Sequence, residues 1–193
     1  MQSTPADGIA REIHAADGSH QDGCASGGSC LVNIFAQIGL ICTPRCRAAV
    51  VSGLGCYELY IDGRKVGNDV LSPAWSDYKK TIWYNTRDIS RYLTRGRHLI
   101  EVLLGNGFYH ERGVRYHKLT TNYGPLTLLF CLRFYHHDRT VQRVVSDTSW
   151  QWRKSPVTYN SIYGGEDYDA RLERQVSPDD AHAVVQKAPA GIL

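Results

Sequence analysis

Between Tyr57 and Ile61 apolar-leaning positions alternate, with Tyr57, Leu59 and Ile61 set against Glu58 and Tyr60. Alternation at period two puts one set of side chains on each face of an extended strand. Asp62-Gly63 then interrupts, and Arg64, Lys65 and Val66 resume. An Asp-Gly pair between extended runs supplies the positive φ angles of a two-residue turn, so the stretch predicts an antiparallel β-hairpin. Pro73, without an N–H, is expected to end or skirt the ladder. Trp75, Tyr78, Trp83 and Tyr84 follow in close succession. Buried, they would seal the end of a sheet sandwich; exposed along one edge, they would offer sugar rings a stacking surface.

The same pattern continues downstream. Ala49–Val51 predicts a strand ahead of the hairpin, and His98–Leu104 an extended apolar segment ending at Gly105-Asn106-Gly107. Ile89, Tyr92 and Leu93 have helical spacing behind Asp88, which predicts one short helical turn closed by Gly96. The polar stretch His110–Tyr123 has no clear period and is expected to be a long loop over one end of the sheet. Thr127–Tyr135, with β-formers on both faces, predicts a central strand, and 136–139 a turn into the returning strand Val141–Ser146. Trp150 and Trp152 share one face of a further strand, and Val157–Tyr159 adds another. Many short strands, one helical turn and no βαβ alternation predict an all-β fold, an antiparallel β-sandwich.

Residues 1–46 are punctuated by Asp7-Gly8, Asp17-Gly18, Asp22-Gly23 and Gly27-Gly28. Such spacing opposes long elements, so this part is expected to be a disordered leader with one short ordered piece around Val32–Ile41. Order is expected over 47–176, followed by a linker-like tail over 177–193 in which Ala183–Val185 forms an edge strand.

Composition narrows the partners. A net charge of +3 over 193 residues, with Lys and Arg scattered among acids, argues against nucleic acid. No run of about 18 apolar residues occurs, which excludes a transmembrane helix. No signal peptide is recognisable, because Leu31–Ile41 lies too far from Met1. Twelve Tyr and four Trp stand beside one Met and four Phe, so much of the aromatic surface carries a polar tip. The six cysteines form no CxxC pair, and zinc is not expected.

Two segments carry candidate chemistry. In Gly105-Asn106-Gly107 the glycines permit close backbone approach, so Asn106 either faces a ligand or simply makes the turn. In Tyr163–Arg171, Glu166, Asp167 and Asp169 form an acidic group. A glycosidase needs two carboxyl groups roughly 5 to 10 Å apart on opposite sides of the scissile bond, whereas these hang from one short stretch. Hydroxyl or calcium binding suits hard oxygen donors beside a Gly-Gly loop. Alternatively Asp169 pairs with Arg171, whose guanidinium is suited to clamping a carboxylate.

Three blocks in order, SGLGCYELYIDGRKVGNDVLSPAWSDYKKTIWYNT, LLGNGFY and NSIYGGEDYDARLE, closely resemble the N-terminal β-sandwich module of bacterial α-L-rhamnosidases, over about Arg47–Glu173. The resemblance implies a jelly-roll, galactose-binding-like module that precedes an α/α-barrel catalytic domain releasing terminal α-L-rhamnose. The family's catalytic carboxylates lie in that barrel, so no catalytic residue carries over to this chain. What carries over is recognition of a rhamnose-containing glycan: Asn106, Glu166, Asp169 and Arg171 as binding residues, Trp75 as a stacking wall. In some members a similar module binds rhamnose with calcium, which implies Asn106 and Asp169 as metal ligands. A purely structural scaffold that docks on the barrel is the other reading. Residues 1–46 have no counterpart in the resemblance, and Cys56 stands where an aromatic is usual, so one edge strand is expected to be missing.

Overall fold

A computed structural model describes residues 13–15, 32–40, 46–111, 115, 121–136, 139–174 and 181–185. The hairpin forms as its alternation dictates. Strand β4 takes Cys56–Ile61 and β5 Arg64–Lys65, numbered here after β1 (Ile13–Ala15), β2 (Val32–Leu40) and β3 (Cys46–Leu54). Asp62 and Gly63 make the turn at φ 50° and 72°, and Tyr57, Leu59 and Ile61 face the core. Beyond it come β6 (Asn85–Asp88), β7 (Gly96–Gly105), β8 (His110–Glu111), β9 (Thr121–Asn122), β10 (Thr127–Tyr135) and β11 (Val141–Val145). The last strands are β12 (Gln151–Lys154), β13 (Val157–Ser161), β14 (Gly165–Tyr168) and β15 (Ala181–Val185).

The described strands pair antiparallel throughout. Eleven join in one path, β5-β4-β7-β2-β12-β15-β1-β10-β3-β6, with β11 on β10. The path folds back on itself. Ile34 of β2, Leu59 of β4 and Val102 of β7 share one buried cluster with Val51 of β3 and Phe130 of β10. The two halves are therefore the layers of a sandwich, and β15 with β1 forms the seam between them. Leu128, Phe130, Leu132 and Phe134 of β10 are fully buried, as the central-strand reading expects. Each such side chain contributes about 1.5–3 kcal/mol by leaving water.

Four expectations change. β2 is the short ordered piece expected around Val32–Ile41, but it lies inside the sheet between β7 and β12, and β1 adds a second strand ahead of 47. β15, read as an edge strand, is paired on both sides. The helical turn after Asn85 is instead strand β6 followed by one capped turn, in which Ser90 N–H donates to Asp88 Oδ1 at 2.8 Å and Tyr92 N–H to Ile89 O at 3.0 Å. Three apolar residues make one turn, too little to offset the cost of nucleating a helix. Among the described residues the one helical segment is a 3₁₀ turn at Ala170–Arg174. The stretch read as one long loop starts and ends as the β8–β9 ladder.

The hairpin turn is tied to β7. Asp62 Oδ1 accepts from Leu99 N–H at 2.8 Å, and Oδ2 lies 2.7 Å from His98 Nδ1. Partial burial works to raise the Asp62 carboxyl, but the His98 ring and the Leu99 N–H outweigh it and hold it below the usual carboxylate range. The folded chain thus keeps this charge to lower pH than the unfolded chain. Its contribution is complete above the unfolded value of about 4 and is lost as pH falls through the lowered folded value. Because the side chain is 43% exposed, its worth is discounted to about 1 kcal/mol or less. Urea midpoints measured down the acid limb should fall less steeply in Asp62→Asn than in the parent; equal slopes would remove this tie from the account.

Candidate functional site

β7 ends in Gly105, and the turn that follows buries Asn106, which is 1% exposed. Asn106 therefore does not stand out into solvent as a binding loop would. Its backbone N–H donates to Asn160 Oδ1 at 3.1 Å, and its Nδ2 donates to Asn160 O at 2.6 Å. Its carbonyl accepts from Tyr109 and His110 N–H. The Asn106 Oδ1 is buried without a hydrogen-bond partner. Gly107, at φ 49°, packs against Cys56: a Cβ there would lie 2.9 Å from the Cys56 Sγ.

This clasp seats β13–β14, a separate two-stranded sheet, over a cavity of about 370 Å³. One wall is Cys56 and Glu58 of β4, the other Asn160, Ile162 and Glu166 of the hairpin, with Val70 at the mouth. Asn160 Nδ2 donates to Glu166 Oε1 at 2.5 Å, which links Glu166 to Asn106 through one residue. Burial pushes the Cys56 thiol up to about 11, so at neutral pH it is a neutral wall. For Glu58, burial opposes ionisation, but Lys65 and the Tyr60 hydroxyl (2.6 Å) lower it below its ordinary range. Burial and Glu58 together push Tyr60 up to about 12.

Both fates foreseen for the aromatic run are realised. Tyr78 is buried and meets Tyr109 edge to face at 5.1 Å. Trp75, Trp83 and Tyr84 are exposed, Trp75 by 66%. Trp75 meets Phe108 at 6.1 Å between ring centroids, and Phe108 meets Tyr163 at 6.1 Å, giving a wall of three rings beside Gly107. Phe108, Tyr163 and Asn160 were not singled out from sequence, although they stand in the GNGFY and NSIYGG blocks.

Asp169 and Arg171 lie elsewhere. Asp169 follows Tyr168, which pairs with Val157, whereas Glu166 pairs with Asn160. Three residues of strand separate these ends by roughly 10 Å. Arg171 occupies both Asp169 oxygens, Nε to Oδ1 at 2.8 Å and Nη2 to Oδ2 at 2.7 Å. That bond, with the Arg171 N–H, holds the Asp169 carboxyl down at about 2. The pairing left open in the sequence is thus formed, and it points Arg171 at its own neighbour. The two residues implied as calcium ligands each have a protein partner, Asp169 with Arg171 and Asn106 with Asn160. Among the described residues no group of three or more His, Cys, Asp or Glu is placed to hold a metal.

Residues 44–187 match the family model of the α-L-rhamnosidase N-terminal domain. The chain belongs to this family. An α-L-rhamnosidase of Formosa agariphila is 38% identical over 127 residues, which cover 64% of this chain and 13% of that protein. This chain thus spans about an eighth of that relative's length. The native α-L-rhamnosidase of Aspergillus terreus superposes with a TM-score of 0.84 at 26% identity, covering 97% of this chain and 23% of that one. The Streptomyces avermitilis α-L-rhamnosidase, solved with L-rhamnose, gives a TM-score of 0.75 at 25% identity, covering 85% and 17%. The family match runs past residue 176 and takes in β15, so the rhamnosidase N-terminal domain includes the strand read as part of a tail.

Proposed function

We propose that this rhamnosidase N-terminal domain is a carbohydrate-recognition module, without catalysis of its own, that holds rhamnosyl glycans for a hydrolase domain in a longer chain. The supporting observation is the wall of Trp75, Phe108 and Tyr163 beside a cavity that carries Glu58, Asn160 and Glu166. Aromatic faces take the apolar face of a sugar, and acceptors around the cavity take its hydroxyls. Each hydroxyl bond replaces one to water and nets only about 1 kcal/mol, so the rings must add the rest. The solved relative that holds L-rhamnose makes this sugar the first probe.

Calorimetric titration of the chain with L-rhamnose should give saturable heat. Trp75→Ala should weaken it about tenfold, the loss of about 1.4 kcal/mol of stacking and burial, with thermal stability unchanged because the ring is mostly exposed. A flat trace from folded protein would end this reading. Repeating the titration with calcium and with chelator tests the metal expectation: heat that vanishes with chelator would support it, and heat unchanged by chelator would end it. A second reading has its own observation: Val70 and Leu71 are 72% and 63% exposed. Apolar groups left in water fit a scaffold that docks on a neighbouring domain, and a flat titration would favour it.

A further inference from the structure

Among the described residues β13 and β14 exchange ladder hydrogen bonds only with each other, yet Val157, Asn160, Ser161, Ile162 and Glu166 make one whole wall of the cavity. The hairpin must therefore be seated by side chains. One clasp is the Asn106–Asn160 pair on the cavity side. A second lies on the opposite strand. Arg115 donates to Asp167 from both terminal nitrogens, Nη1 to Oδ1 at 2.9 Å and Nη2 to Oδ2. Its guanidinium also lies 4.1 Å from the ring centroid of Tyr159, which belongs to β13. Arg115 thus grips both strands of the hairpin from a position 44 to 52 residues away in the chain.

We infer that Arg115 is a positioning residue: its ion pair with Asp167 sets how tightly the hairpin closes over the cavity, and so makes access to the cavity sensitive to salt. What enters the cavity rests on the sugar reading above; the hairpin's seat does not. The pair is half exposed, so mobile ions screen it within a Debye length and dissolved salt competes with it directly. The Asn106 clasp is buried and neutral, and salt leaves it alone. Arg115 pulls the Asp167 carboxyl below its usual range, so the pair stays charged through neutral pH.

Cys56 is a built-in reporter, because it lies on the cavity wall opposite the hairpin. The full chain would be exposed to a small methanethiosulfonate, and modification of Cys56 followed by peptide mass spectrometry, so that the other cysteines do not enter. Arg115→Met and Asp167→Asn should each speed modification about three- to tenfold, the scale of an exposed bidentate pair with a cation–π contact. Asp167→Glu should restore the slower rate. High salt should speed the parent and leave Arg115→Met unchanged. Asp77→Asn, which breaks an ion pair with Lys80 elsewhere, should have no effect. Equal rates in parent, Arg115→Met and Asp167→Asn would overturn the inference, as would an undiminished salt effect in Arg115→Met. Added L-rhamnose separates the two readings. Faster modification in the variants without protection by the sugar upholds the hairpin clasp and removes the sugar; protection by the sugar with identical rates in all variants does the reverse.

Discussion

Trp150→Ala is expected to cost about 4 kcal/mol of folding stability. The side chain is 1% exposed and packs against Phe130 of β10 at 5.2 Å between ring centroids. Its indole Nε1–H donates to Val145 O at 3.0 Å, and its backbone carbonyl accepts from Ala183 N–H at 2.8 Å. It therefore touches β10, β11 and β15, and its loss opens a cavity that strands pinned on both sides cannot close by collapsing. It also leaves the Val145 carbonyl without this donor. A domain of ordinary stability holds about 5–15 kcal/mol in all, so the variant should be marginal. For a chain of this size the melting temperature should drop by roughly 10 °C. Trp150→Phe, which keeps most of the volume, should cost less than half as much. The check is urea unfolding followed by circular dichroism, and a loss below 1.5 kcal/mol in Trp150→Ala would mean that the seam packs around something else.

Gly55→Ala should be nearly as severe and should also disable the candidate site. Gly55 sits at φ +114°, and a Cβ there would stand 2.2 Å from Gly105 O and 2.9 Å from Asn106 O. Backbone atoms do not swing aside as a side-chain tip does. The strain of that φ costs about 1–3 kcal/mol, and relief of the clash must come from moving the Gly105–Gly107 turn. That turn holds Asn106, the clasp on Asn160 and the floor beside the aromatic wall. Gly63→Ala separates the two parts, since Gly63 has φ +72° with nothing within 4 Å of its Cβ; it should cost only about 1–2 kcal/mol. If Gly55→Ala proved no worse than Gly63→Ala, and bound L-rhamnose like the parent, the crowding at the turn would not govern the site.

The main strands were legible because each carries its own signal: alternation and Asp-Gly for β4–β5, an unbroken run of β-formers for β10. β2 carries alternation too, within a glycine-rich setting that masks it. Ile34, Ile38 and Leu40 are buried at even positions against Asn33, Gln37 and Gly39 at odd ones, but Phe35 interrupts the alternation and glycine-rich sequence precedes it. Its place in the sheet comes from β7 and β12, more than 55 and more than 110 residues further along the chain, and no local pattern encodes that. The site is legible at the level of blocks, while the sequence leaves the partners of its side chains open. Asn106 either faces a ligand or makes the turn on local evidence, and nothing local encodes that its amide reaches a strand 54 residues later. For Asp169 and Arg171 the sequence offers both a ligand role and mutual pairing, and a carboxylate two residues from a guanidinium forms the pair. Arg115 stood in a stretch without period, and nothing in its neighbours announced Asp167.

The seam between the layers joins β1 near one end of the sequence to β15 near the other, Ile13 opposite Val185. During synthesis, β12 emerges before β15 and must wait for it with one edge uncovered. The layers can then gain stability early through the β3–β10 and β2–β7 ladders, yet they cannot be stitched together until residues 181–185 have left the ribosome. A nascent chain halted before that point would carry unpaired strand edges, the kind of surface to which chaperones and other unfinished copies bind.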